Sequence, residues 1–217
     1  MESTYVIHWP YLAFALLMLL FPRAWLRFGK WQRRRRKQRE LFDKFARDGG
    51  NDPDDKSVKL TRELANKRNY IDFFRAAAGA YALWHFSVSD LHRDARFIFI
   101  GGAAVVTLAG ILLQSVRLGT RATFYAPIFY LAGVSIGMGS FFAGGFAFLL
   151  VCAINPVIPN PRLFITAYGL LLLPFNFLFS AGVPLMVVNT ALVLAIPLVS
   201  LLARRPVVIL TKKANLA

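Results

Sequence analysis

The chain has 217 residues, of which 57% are hydrophobic and 17% charged, with a formal net charge of +15 at pH 7. A soluble domain is nearer half apolar and a quarter charged, and its apolar residues do not fall in long uninterrupted blocks. The composition therefore excludes an ordinary soluble fold and predicts an integral membrane protein. Its charge is uneven: all 11 acidic residues lie at or before Asp94, while 16 of the 26 Lys and Arg fall between Arg23 and Arg68.

The first apolar run, Tyr5–Phe21, is preceded by an acid and no cation and followed by a dense run of cations. A cleavable signal peptide has the reverse order. The run predicts a first span (residues 1–21) with the N-terminus outside and Arg23 onward in the cytoplasm. Residues 22–71 then read as a basic, largely helical cytoplasmic arm. Phe21, Trp25 and Phe28 recur at helical spacing, DGGNDPDD (Asp48–Asp55) reads as a loop, and Asp54 or Asp55 is placed to cap a helix that runs on to Ile71.

Residues 72–217 are expected to form the transmembrane bundle, with short loops and a basic tail. Phe73–Ser89 is long enough to cross but carries Arg75 and His85. Phe97–Val116 reads as a span, and Phe124–Ile154 as one long tilted helix rather than two. Leu163–Ala203 reads as a helical hairpin broken near Ala181–Pro184, after a proline-rich connection, Asn155–Arg162, that cannot be helical throughout. The fold class is thus all-α: a polytopic transmembrane helical bundle of five or six spans. If Phe73–Ser89 crosses, seven cations of the later loops and tail fall outside. If it lies on the inner surface, only Arg117 and Arg121 do. Positive-inside bias favours the second count, and the small residues of RAAAGAYALWHF favour the first.

Five features could carry chemistry. Arg33, Arg34, Arg35, Arg36 and Lys37 form a polybasic run beside a span, suited to anionic headgroups or an acidic protein partner, although cations after a first span also simply halt translocation. Gly133 and Gly137, with Ser140 and Gly144, make small-x-x-x-small faces that predict tight helix packing, either internal or in a homo-oligomer. Asn176 and Asn189 sit in the two arms of the last hairpin, near Pro174, Pro184 and Pro197. They could line a solute site or bond one another. His8, His85 and His92 could gather at the outer face as haem or metal ligands, with no further motif in support. Arg75 lies one turn from the inner boundary, where it can snorkel to headgroups, and Asp72 is a partner at i−3.

The last 123 residues contain no Asp or Glu. That removes the carboxylates expected of proton-coupled transport or a divalent-metal lipid enzyme. Ser135, Ser140 and Ser180 have no base other than His85. The single cysteine, Cys152, forms no intrachain disulfide. No cofactor, metal site or nucleic-acid partner is expected. The leading expectation is a non-catalytic membrane subunit or scaffold of a bacterial inner (cell) membrane, its basic arm contacting anionic lipid headgroups or a protein partner. A channel or carrier for a neutral or anionic solute is the alternative, and a histidine-based haem or metal protein or enzyme is the third.

Overall fold

The computed structural model describes residues 6–22, 58–89, 93–117, 123–179, 182–205 and 207–209. The polybasic run Arg33–Lys37, most of the arm, His92 and Ser180 lie outside them. The described chain is helical apart from a few two- and three-residue strands. Its elements are β1 (Val6–Ile7), α1 (Trp9–Leu20), α2 (Leu60–Leu64) and α3 (Lys67–Tyr81), with α3 continued by a π turn at Ala82–Phe86. Next come β2 (Val88–Ser89), α4 (Arg93–Ser115), β3 (Val116–Arg117), β4 (Thr123–Tyr125), α5 (Ile128–Met138) and α6 (Phe141–Ile154). The chain closes with α7 (Pro161–Leu178), α8 (Val183–Leu202) and β5 (Val207–Val208). Three helical stretches are long and apolar enough to cross a membrane: Ala95–Ser115, Pro161–Leu178 and Val183–Leu202.

Two small sheets mark the two ends of the bundle. Antiparallel β1–β2 ties the start of α1 to the end of the α3 helix, at what we call the upper end. At the lower end, β4 pairs antiparallel with β3 and parallel with β5, joining the end of α4, the start of α5 and the end of α8. Large apolar side chains such as Ile98, Phe177 and Leu202 point outward, the reverse of a soluble surface.

The centre of the bundle is α5, in which every residue except Ile136 is buried. Its closest neighbour is α3, and the glycine face explains why. A β-carbon on Gly133 would collide with the Phe73 carbonyl and lie 3.0 Å from the Ala76 Cβ, and one on Gly137 would collide with the Ala77 carbonyl. Backbone meets backbone, with Ala76, Gly79 and Ala80 of α3 also buried. The small-residue face therefore serves packing within the chain. Phe73–Ser89, ambiguous from its composition, lies within the bundle.

Two expectations are corrected. Phe124–Ile154 is not one tilted helix. Helix α5 stops at Met138, Gly139 adopts a non-helical ψ of −140°, and α6 begins at Phe141. The second helix folds back along the first: a Cβ on Gly144 would sit 2.9 Å from the Ile136 backbone nitrogen, and the rings of Phe129 and Phe148 are 5.9 Å apart. In a straight helix those two phenylalanines would be about 28 Å apart. The hairpin brings Asn155 back to the lower end, where its Nδ2 donates to the Val58 carbonyl at 2.8 Å. Second, the helix expected to run to Ile71 is divided at Ala65–Asn66. There the Asn66 side chain accepts from the Arg68 backbone N–H and caps α3. The break in the last hairpin stands where expected, between Leu178 and Val183, with Gly182 at a φ of +74° that suits glycine.

Candidate functional site

The tip of the α5–α6 hairpin meets α7 and α8 at Asn176 and Asn189. A Cβ on Gly139 would lie 3.0 Å from Asn176 Oδ1 and 3.0 Å from Asn189 Nδ2, so one glycine touches both amides. Both side chains are buried, with 1% and 0% of their surface exposed. Asn189 Nδ2 donates to the Ser135 carbonyl at 3.2 Å. Asn189 Oδ1 and both polar atoms of Asn176 have no hydrogen-bond partner among the described residues, nor does Thr190 Oγ1. Unmatched polar atoms at this depth are costly.

At the break the Ser135 carbonyl also accepts from the Gly139 backbone N–H at 3.2 Å, closing the last turn of α5. Ser140 occupies the cap position of α6 without making a side-chain cap bond. Behind the tip, the Ser135 hydroxyl bonds the Tyr168 hydroxyl and donates to the Ala132 carbonyl at 3.0 Å. That serine is tied into packing rather than poised beside a base. Gly139 had no distinct sequence signal among the neighbouring glycines, and Thr190 and Tyr168 had none at all.

A second polar cluster closes the lower end of α1. With 12 residues, α1 is about 18 Å long and ends inside the bundle. Its last carbonyls are met by side chains from three other helices. Arg75 Nη1 donates to the Phe21 carbonyl, Gln114 Nε2 to the same oxygen at 3.0 Å, and the Tyr130 hydroxyl to the Leu19 carbonyl at 2.8 Å. Arg75 is ion-paired with Asp72 at 2.9 Å and lies over the Tyr130 ring, 5.3 Å from its centroid. The i, i+3 partnership is as expected. The arginine is buried rather than snorkelled.

The histidines divide. His8 Nε2 is 3.2 Å from Ser89 Oγ, across the β1–β2 pairing, and the His85 ring engages the Gly137 carbonyl and the Tyr81 ring. Among the described residues, no three His, Cys, Asp or Glu come together in a way that could hold a metal ion. A shallow groove of about 380 Å³ at the upper end is lined by Arg96, Phe97, Ile100 and Pro184 and has no convergent polar groups. In comparisons with protein-family models, curated proteins and solved structures, the chain matches none of them.

Proposed function

We propose that the chain is an integral membrane protein that crosses the bilayer five times, with its N-terminus outside, its tail inside, and α5–α6 as a re-entrant hairpin entering from the inner side. On this reading it is a non-catalytic membrane subunit whose basic cytoplasmic face contacts anionic headgroups or an acidic protein partner. The observation that carries it is the return of Asn155 to Val58 at the lower end. With that return, α3 can cross while the tail stays on the side of the arm, and only Arg93 and Arg96 are left near the outer face. The conflict between small-residue packing and positive-inside bias disappears.

Replacing Arg33, Arg34, Arg35, Arg36 and Lys37 together with glutamine tests the docking. At about 1 kcal/mol per cation near an anionic surface, anionic lipid or protein partner retained after mild solubilisation should fall at least tenfold. Quantitative mass spectrometry of the co-isolated material reads this, and unchanged retention would refute the docking role.

A second reading, a carrier or channel for a neutral or anionic solute, is favoured by one specific observation. A broken-helix tip meets two buried amides with unmet hydrogen-bonding capacity.

A further inference from the structure

We infer that Gly139, Asn176 and Asn189 form a binding site for a small neutral solute that both donates and accepts hydrogen bonds. This rests on the carrier reading and names its substrate class. The unpartnered atoms at the tip are two amide oxygens, Asn176 Oδ1 and Asn189 Oδ1, and one amide nitrogen, Asn176 Nδ2. An occupant that satisfies them supplies at least two donors and one acceptor. A simple anion has no donors and would face both oxygens unpaired. A metal cation has no acceptor and leaves the Asn176 N–H groups orphaned. The last 123 residues also hold no carboxylate to offset a buried positive charge. A neutral amide or polyol meets both demands.

Gly139 brings the hairpin tip close to both amides, since a Cβ there would stand 3.0 Å from Asn176 Oδ1 and from Asn189 Nδ2. Access also fits: Gly139 and Ser140 are half-buried while the two asparagines beneath them are buried.

The experiment is stopped-flow light scattering of proteoliposomes holding the full chain, with urea and with potassium formate as probes. Urea equilibration should exceed that of protein-free liposomes, and formate should not. Asn176→Leu should lower the urea rate about tenfold through lost hydrogen bonds. Gly139→Ala serves as the second variant, since its added carbon crowds both amides without altering either. It should lower the rate similarly. Formate flux without urea flux would overturn the neutral class while leaving the carrier reading standing. Neither solute moving faster than in protein-free liposomes would overturn both. Urea flux insensitive to both variants would overturn the site.

Discussion

Gly137→Ala should destabilise the protein by about 3 kcal/mol, the upper part of the range for overpacking a tight core. The reason is local and geometric. The new methyl would collide with the Ala77 carbonyl and lie 3.0 Å from both the Ala77 carbonyl carbon and the Tyr81 nitrogen. These are backbone atoms of a buried helix, so no flexible side chain can move aside. Relief requires α3 and α5 to separate, which loosens the central contact of the bundle. Gly145→Ala is the matched control: it lies in α6 with nothing within 4 Å of the added carbon. That change should be neutral or stabilising by up to about 1 kcal/mol through helix propensity. Unfolding of the two variants in mixed micelles against denaturant measures the difference. Equal stabilities would remove the close α3–α5 approach from the account.

Arg75→Met should cost about 3–5 kcal/mol, the loss expected when one partner of a buried ion pair is removed. Asp72, at 3% side-chain exposure, would lose this guanidinium, and the Phe21 carbonyl would lose the Arg75 donor. Asp72→Asn combined with Arg75→Met removes both charges and should recover most of that cost. The double variant will then be more stable than the arginine variant alone. Strictly additive losses would show that the pair does not act as a unit. The effect should extend to α1, whose lower end depends on Arg75, Gln114 and Tyr130 for its carbonyl partners. Protease sensitivity near Phe21 should rise in the single variant.

Much of the helical layout was legible in the residues. Hydropathy located α4, α7 and α8, and the Ala181–Pro184 break follows from turn formers between two apolar arms. The Asp72–Arg75 pair follows from helical spacing. The break at Gly139–Ser140 was not legible, because hydropathy runs unbroken through it. Glycine was no guide either: Gly133, Gly137 and Gly144 sit inside helices as contact points, and only Gly139 ends one. The unresolved parity held the missing information. Positive-inside bias and a crossing α3 are compatible only if the middle block returns to its own side. The division at Ala65–Asn66 was hidden by a continuous amphipathic pattern on both sides of it. Of the candidate site, both asparagines were legible as polar residues in apolar helices. Their meeting at the hairpin tip depends on the fold-back and could not be read from spacing.

The re-entrant hairpin within a five-crossing chain is the central claim, and paired cysteine accessibility tests it most directly. Arg96→Cys and Val157→Cys, each on a Cys152→Ser background, place one thiol at the start of α4 and one just after α6, and both positions are exposed. Labelling with a membrane-impermeant maleimide on intact cells and on inverted vesicles gives the side of each. The account predicts opposite sides, with position 96 labelled from outside and position 157 from inside. If Phe124–Ile154 crossed once in a six-span chain, both would label from outside; if Phe73–Ser89 lay on the inner surface, both would label from inside. Either same-side result contradicts the hairpin topology proposed here.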